Sequence, residues 1–270
     1  MSTQPAGPGV ALVTGGSRGI GAGIALALGA AGWDVAVNYR SDAEAAQGVV
    51  KALVERGRRA LAVAADVTDP DAVAAMVERV EGELGPLGAL VNNVGEFFFK
   101  PVAAMSYDEW RHVIDSNLTS AFVTSSAVLP RMRARRYGRV VNIGLGPVHH
   151  VRAAPNIAAY AVAKTGIVVL TLSMAAEEAP YGVTVNCVSP GLIDNGFLPP
   201  DQDGWMRKRV PMGRLGEPAE VGDAVAFLVS EKASYVSGAN LTVSGGWDWF
   251  NRPVDHDGDV TALFLEGESV

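Results

Sequence analysis

The sequence predicts a single α/β domain in which about seven parallel strands form a doubly wound sheet flanked by helices. Short apolar runs alternate with helical patterns along most of the chain, which is typical of a parallel sheet with crossover helices. A glycine-rich turn joins the first strand to the first helix, as in many doubly wound sheets. A chain of 270 residues is expected to form one large domain. We predict a flexible N-terminus at 1–8, the domain at 9–246 and a C-terminal extension at 247–270.

The composition and charge restrict the classes of function. A net charge of −7 and a pI near 5.1 argue against a nucleic-acid partner. No apolar run approaches the roughly 18 residues of a membrane span, and residues 1–8 lack the features of a signal peptide. The one cysteine, Cys187, cannot form an intrachain disulfide. We therefore expect a cytoplasmic protein that binds a small molecule, with neither nucleic acid nor membrane as a partner.

The first strand, VALVT at 10–14, leads directly into three spaced glycines and a helical pattern. Gly15 permits a tight turn, Gly19 lets backbone N–H groups approach a pyrophosphate, and Gly21 allows the helix to pack closely on the strand. The phosphate would then lie at the positive end of the helix. Because strand, turn and helix occur in this order, we predict a dinucleotide site here.

The end of the second strand, WDVAVNYRS at 33–41, predicts which dinucleotide is bound. A carboxylate at this position would bind the 2′-hydroxyl of the adenosine ribose and repel a 2′-phosphate. The sequence offers Asn38, Tyr39 and Arg40 instead, and Arg18 in the glycine loop adds a second guanidinium group. Two such groups favour a phosphate. We therefore predict NADP(H) rather than NAD(H), with solvated surface arginines as the alternative.

Five further strands complete the predicted sheet. Asp66 and Val67 follow the third strand, where Asp66 can meet the edge of the adenine. Ser106-x-x-Glu109 is a capping box that begins a long helix containing Asn117. This asparagine is either a satisfied core amide or part of a distorted, functional turn, and both interpretations stay open. The five strands are predicted within 60–70, 88–95, 139–144, 182–191 and 240–246.

Tyr160 and Lys164 lie one helical turn apart in the helix that follows the fifth strand. A phenol has a pKa of about 10, which is too high for efficient proton exchange near neutral pH. A nearby ammonium group and the positive charge of the nicotinamide favour the phenolate and lower the pKa of the phenol. Acid–base catalysis improves as that pKa approaches the working pH, so we predict that Tyr160 and Lys164 form an acid–base pair.

Together these motifs resemble the short-chain dehydrogenase/reductase family, in the single-domain type similar to 3-oxoacyl-acyl-carrier-protein reductases. The resemblance covers about residues 9 to 246 and implies a Rossmann fold and a homotetramer, or a homodimer. It is carried, in order, by Thr14-Gly15-x3-Gly19-x-Gly21, Asp66, Asn92-Asn93-Val94-Gly95, Asn117, Tyr160-x3-Lys164 and Pro190-Gly191.

The resemblance also implies a role for each of these residues. Tyr160 would donate a proton to a carbonyl group, Lys164 would lower its pKa and bind the nicotinamide ribose, and Asn117 would hold a water molecule of the proton relay. The residues predicted to bind the cofactor are Gly15, Ser17, Arg18, Gly19, Ile20, Gly21, Asn38, Tyr39, Arg40, Asp66, Val67, Asn93, Gly95, Tyr160, Lys164, Pro190, Gly191 and Ile193.

The chain departs from the family pattern at the serine that normally hydrogen-bonds the substrate oxygen. Residues 144–159 contain neither serine nor threonine, and Leu145 or a neighbour stands at the expected position. In one interpretation, His149, His150 or Asn156 replaces the hydroxyl group. In a second, the substrate needs no oxyanion donor, as with an iminium ion. In a third, the protein is a non-catalytic NADP(H)-binding sensor, against which the retained catalytic residues argue.

Aromatic and apolar residues are predicted to surround the substrate at the carboxyl edge of the sheet. The irregular stretch 192–216 is expected to form a mobile lid, and the extension 247–270 to cover the chain's own pocket or a neighbour's. The predicted pocket residues are Phe97, Leu145, His149, Phe197, Trp205 and Trp247.

These observations lead us to expect an NADPH-dependent reductase. Its substrate would be a C=O or C=N bond in a bulky, aromatic or polycyclic molecule. We expect the reaction to belong to secondary metabolism, for example antibiotic biosynthesis, or to the detoxification of secondary metabolites. We predict no metal site, because the adjacent His149 and His150 have no carboxylate partner.

Overall fold

The computed structural model describes residues 8–146, 153–196, 204 and 206–248. Seven parallel strands form one sheet in the order β3-β2-β1-β4-β5-β6-β7, which confirms the predicted fold class. Because β1 and β4 are neighbours, the winding direction reverses between them, and a crevice opens at their carboxyl ends. The strands are β1 Val10–Val13, β2 Asp34–Tyr39, β3 Ala60–Ala64, β4 Leu87–Asn92, β5 Gly138–Ile143, β6 Val183–Pro190 and β7 Asn240–Val243.

Helices cover both faces of the sheet. Apolar side chains of α1, α2 and α7 form the core on one face, and those of α3, α5 and α6 form the core on the other. The strands are therefore buried on both sides, which is why they are apolar without alternation. The helices are α1 Gly19–Ala30, α2 Ala43–Glu55, α3 Pro70–Glu83, α4 Tyr107–Ile114, α5 Ser120–Arg135, α6 Ala158–Glu178 and α7 Pro218–Val229.

The long helix predicted after Ser106 is divided by a distorted turn. The capping box is present, with the Ser106 hydroxyl accepting from the Glu109 backbone and the Glu109 carboxylate accepting from the Ser106 backbone. After α4 the chain forms a π-helical turn at Asp115–Thr119 before α5 begins. Such turns occur frequently at functional sites because they shift one side chain out of the regular helical register. Asn117 lies in this turn, so the distortion expected in the second sequence interpretation is present, and its functional role stays a prediction.

A buried polar network fixes the two central strands to the helices above them. Asn92 on β4 donates to Asn142 Oδ1 on β5 at 2.8 Å and to Ser125 Oγ at 3.0 Å. Asn142 donates to Thr171 Oγ1 on α6 at 2.9 Å, and Thr124 Oγ1 donates to Asn92 Oδ1 at 2.6 Å. Because these buried groups are satisfied only in one register, they position the strand ends from which the site is built.

The predicted lid begins and ends at one point on the sheet edge. Ile193 and Gly216 form an isolated parallel bridge, with Asp194 N donating to Gly216 O at 2.8 Å and Gly216 N to Leu192 O at 2.9 Å. Trp247 is buried beside this base and packs with other apolar residues of the segment. The two ends of the segment are therefore held together.

Helix α6 carries the predicted acid–base pair and is also the most apolar long helix. Among the described residues, Ala158–Tyr181 is the one helix long and apolar enough to cross a membrane by length and composition. It nevertheless contains the buried side chains of Lys164 and Glu178. Glu178 receives two hydrogen bonds from Arg133 of α5, at 2.7 and 2.5 Å. These contacts are those of a helix packed inside a folded domain.

Candidate active site

The glycine loop has the backbone that its sequence predicted. Gly15 and Gly19 have positive φ angles of 58° and 52°, a conformation that favours glycine. A Cβ atom on Gly21 would overlap the carbonyl oxygen of Gly15, so only glycine fits there. Within α1, no side chain caps the N-terminus and the first turn carries no acidic residue. The N–H groups of this first turn therefore have no side-chain acceptor within the helix start, and they can bind an anion such as the pyrophosphate of a dinucleotide.

Two amide side chains hold this loop from opposite sides. Asn38 on β2 is 1% exposed, and its Oδ1 accepts from Gly15 N at 3.2 Å while its Nδ2 donates to Ala65 O at 3.1 Å. Asn93, beyond β4, donates to Thr14 O at 3.0 Å and Gly15 O at 3.2 Å. The Asn38 amide thus holds the glycine loop through hydrogen bonds to the backbone. Direct contact of this amide with the cofactor stays a prediction.

The predicted adenosine end lies beyond β2 and β3. Arg40 directly follows β2, and Arg18 is an exposed residue that directly precedes α1. The Asp66 carboxylate accepts from Thr68 N at 2.9 Å and from Thr68 Oγ1 at 2.7 Å. These bonds, and after them the charge of Arg40, hold the pKa of Asp66 below its usual range. Asp66 is therefore an anionic acceptor close to a guanidinium group.

The predicted cofactor residues on the far side of the crevice follow β6. Pro190 ends this strand, and Gly191 N donates to Val243 O at 2.9 Å. A Cβ atom on Gly191 would lie 2.6 Å from the Cβ of Ser244, so the neighbouring strand end leaves room only for glycine. Ile193 is buried at the base of the lid segment. The carboxyl ends of β1, β2, β4 and β6 thus carry the predicted dinucleotide site along one edge.

Lys164 is the buried charged group of the predicted catalytic set. It is 3% exposed, and its Nζ donates to Ile143 O, at the end of β5, at 2.8 Å. Burial lowers the pKa of Lys164 to about 8. The ammonium group is therefore fixed in position, and removing its proton requires far less free energy than in water.

The pKa of Tyr160 is shifted in the direction opposite to the one that the sequence pattern predicted. Burial raises the pKa of Tyr160 to about 12, whereas the sequence pattern predicted a lowered pKa. The reason is geometric, because Lys164 Nζ lies 5.6 Å from the centre of the Tyr160 ring and points at the Ile143 carbonyl. The phenol is thus kept protonated, the state needed for a proton donor.

Asn117 presents an unsatisfied acceptor beside this pair. Its Nδ2 donates to Glu96 O at 2.8 Å and to Val113 O at 2.9 Å. Its Oδ1 is buried, and no residue in the described part of the chain donates to it. A Cβ atom on Gly95 would overlap this oxygen and lie 3.1 Å from Lys164 Nζ. The acceptor and the ammonium group therefore face the same space, which fits a proton relay between them.

The position expected for serine holds an apolar side chain. Leu145 is buried, directly after Gly144, whose Cβ would lie 2.6 Å from Ser189 Oγ. Asn156 is in the left-handed region with φ 64°, and its carbonyl oxygen accepts from Lys100 N at 2.6 Å. His149 and His150 lie outside the described residues, so a histidine substitute stays a prediction.

Two aromatic side chains pack next to the predicted proton donor, Tyr160. The Phe97 ring packs on the Tyr160 ring with a centroid distance of 5.1 Å, and Phe99 meets Phe97 edge-on at 5.7 Å. Phe97 and Phe99 are 53% and 69% exposed. Trp247 is instead 5% exposed, because it packs at the lid base. The predicted pocket residues Phe197 and Trp205 lie outside the described residues.

Two contributors to the site were missed by the sequence reasoning. Ile143 supplies only its carbonyl oxygen, which no side-chain pattern reveals. Glu96 binds Asn117 through its backbone and Arg40 through its side chain, and a charged residue directly after Gly95 was a usable signal.

Across the described ranges, no group of three or more histidine, cysteine, aspartate or glutamate residues could hold a metal ion.

Known proteins resemble this chain over nearly all of the described domain. A family model described as enoyl-(acyl carrier protein) reductase matches residues 15–248. The chain is 39% identical over 239 residues to 3-oxoacyl-[acyl-carrier-protein] reductase FabG of Staphylococcus aureus, covering 87% of this chain and 96% of that protein. It is 38% identical over 240 residues to 3beta-hydroxysteroid dehydrogenase 1 of Eggerthella lenta, covering 87% and 92%. A solved short-chain type dehydrogenase/reductase from Mycobacterium marinum has a TM-score of 0.83 and 33% identity, covering 89% and 96%.

Proposed function

Because these matches show that the chain belongs to the short-chain dehydrogenase/reductase family of oxidoreductases, we propose that it uses NADPH to reduce a C=O or C=N bond of a bulky small molecule. The observation that carries this proposal is the set formed by the half-buried Tyr160, the buried Lys164 and the unsatisfied Asn117 Oδ1. A protein that only sensed the nucleotide would not need these three groups, which disfavours the non-catalytic alternative.

Bound NADPH would supply the hydride, and the residues of the chain supply binding, orientation and the proton. The positive φ angles of the glycine loop and the uncapped start of α1 suit a pyrophosphate. Arg40 and Arg18 favour a 2′-phosphate on the ribose. Tyr160 holds its proton firmly until negative charge develops on the substrate oxygen, and the replacement proton reaches it from Lys164 and from a water molecule that Asn117 Oδ1 would hold.

Phe97 and Phe99 support a bulky, aromatic or polycyclic substrate. Exposed rings next to the proton donor offer a stacking surface to a flat molecule. The relative named as a hydroxysteroid dehydrogenase fits this substrate class, and we place the activity in secondary metabolism or its detoxification. The FabG relatives favour a second candidate, a 3-oxoacyl thioester.

The absence of serine and threonine from 144–159 affects reduction of a C=O bond more than reduction of a C=N bond. A ketone becomes an alkoxide that must be protonated, and it normally needs an oxyanion donor, which typically supplies about 3 kcal/mol. An iminium carbon becomes an amine without any oxyanion. Leu145, buried at the expected serine position, disturbs the second reaction less than the first.

Single-turnover NADPH oxidation against 3-ketosteroids, cyclic imines and a 3-oxoacyl thioester tests the proposal. Tyr160→Phe should lower ketone reduction by about 10²- to 10⁴-fold, the usual contribution of a general acid. It should affect iminium reduction much less, because no alkoxide needs a proton. Tyr235→Phe is the matched control, since Tyr235 is fully exposed. NADPH binding without turnover on any substrate would support the sensor instead.

The proposal includes a cytoplasmic homotetramer. Apolar side chains are more than half exposed along α5 and α6, which suits a face shared between subunits. They are Phe122, Val162, Val169 and Leu172. Size-exclusion chromatography with light scattering tests the assembly, and a monomer at micromolar concentration would refute it.

A further inference from the structure

Three side chains form a charged cluster beside the cofactor crevice. Arg40 Nη2 lies 3.3 Å from Glu96 Oε1, and His112 Nε2 lies 2.9 Å from Glu96 Oε2. Each oxygen of the Glu96 carboxylate therefore has its own partner, one from the end of β2 and one from α4. None of the three was assigned this contact by the sequence motifs.

The strand order places this contact across the crevice. Arg40 directly follows β2, and Glu96 follows β4, while β1 lies between these two strands in the sheet. A contact between the two side chains must therefore span the carboxyl end of β1, from which the glycine loop starts. In sheets of this type the adenosine ribose and the pyrophosphate lie at this point.

We propose that Glu96 is a specificity-determining residue that limits how strongly the protein prefers a 2′-phosphorylated nucleotide. Arg40 is the guanidinium group expected to bind the 2′-phosphate, so the inference rests on the proposed NADP(H) dependence. The Glu96 carboxylate and the phosphate compete for Arg40, and the carboxylate also repels the phosphate. A nucleotide without this phosphate requires no such exchange.

His112 and the Glu96 backbone explain why the carboxylate stays at the crevice. The His112 contact holds the second carboxylate oxygen, and the Glu96 carbonyl oxygen accepts from Asn117 Nδ2 at 2.8 Å. The backbone contact does not depend on the Glu96 side chain. Replacing Glu96 with glutamine therefore removes the charge while keeping the side-chain shape and the link to Asn117.

The expected size of the effect follows from exposure. The side chains of Arg40, Glu96 and His112 are 59%, 49% and 46% exposed, so the pair is a solvent-screened one. Exposed ion pairs change equilibria by at most about fivefold. Glu96→Gln should therefore tighten NADP⁺ binding about two- to fivefold and leave NAD⁺ binding unchanged, with a smaller gain at high salt.

Isothermal titration of NADP⁺ and NAD⁺ into wild type, Glu96→Gln, Arg40→Gln and the double variant tests this inference. Arg40→Gln should weaken NADP⁺ binding only, and in its background the gain from Glu96→Gln should shrink. Glu83→Gln is the control, because Glu83 is an exposed carboxylate that pairs with Arg79 on α3.

Each other outcome overturns a defined part of the argument. Equal changes for both nucleotides, weaker NADP⁺ binding in Glu96→Gln, or a gain that persists undiminished without Arg40 would each refute competition for Arg40. A wild-type protein that binds NAD⁺ but not NADP⁺ would refute the proposed cofactor, and the inference would fall with it. NADP⁺ preference with an unresponsive Glu96→Gln would refute the inference and leave the proposed function intact.

Discussion

Replacing Lys164 with methionine should change how the free energy of unfolding depends on pH above about pH 8. The Lys164 side chain is 3% exposed, and burial lowers its pKa from 10.5 to about 8. Since one pKa unit corresponds to about 1.4 kcal/mol, the charged lysine destabilises the folded state by about 3 kcal/mol relative to the neutral one. Methionine has a similar length and carries no charge.

The sign follows from where the proton is bound. Below about pH 8 Lys164 is protonated in both the folded and the unfolded chain, so its penalty is fully present and constant. Between about pH 8 and 10.5 the unfolded chain keeps this proton and the folded chain loses it, so the free energy of unfolding rises with pH. Wild type should therefore gain about 3 kcal/mol relative to Lys164→Met across this window.

Urea unfolding at closely spaced pH values, followed by tryptophan fluorescence, to which the buried Trp33 and Trp247 contribute, measures this difference. The protein concentration is kept fixed, because assembly contributes to apparent stability. Lys232→Met, at an exposed position, should give a profile parallel to wild type. A constant difference between wild type and Lys164→Met from pH 7 to 10.5 would show that burial does not set the protonation of Lys164.

Two further changes test the loop and the core. Gly21→Ala should abolish nucleotide binding measured by titration, because its Cβ would overlap a carbonyl oxygen of the glycine loop, whereas Gly48→Ala has open space and should bind normally. Arg133→Met should lower the free energy of unfolding by about 3 to 5 kcal/mol, because it leaves Glu178 buried and unpaired. Arg79→Met, in an exposed pair, should change it by less than about 1 kcal/mol; equal losses in both would mean that the buried pair is solvated.

The strands and the glycine loop were predictable because local chemistry determines them. Apolar runs bounded by turn residues become buried parallel strands, Gly15 has a positive φ angle that favours glycine, and Gly21 has no room for a Cβ atom. The capping box at Ser106 was equally local, since its two partners are three residues apart. The strand order then places the described residues of the predicted dinucleotide site at one edge of the sheet.

The remaining features depend on contacts between distant parts of the chain. Arg40 and Glu96 are far apart in sequence. They meet because β2 and β4 both flank β1 in the sheet, so that the carboxyl ends of the two strands lie close together. The pKa of Tyr160 was expected to fall because Lys164 is one turn away, but Lys164 points at the Ile143 carbonyl and burial prevails. The direction of a side chain depends on packing, which spacing alone does not specify.

The bridge between Ile193 and Gly216 has a consequence for how new specificities arise in this protein. The segment leaves and rejoins the sheet edge at adjacent backbone positions, and between them it contacts the domain mainly at the base around Trp247. Doubling the length of such a loop costs only about 0.6 kcal/mol in closure entropy. A change in length between the two bridged ends should therefore leave the strands in place, which makes this segment the part of the chain where length can vary at the lowest cost in stability.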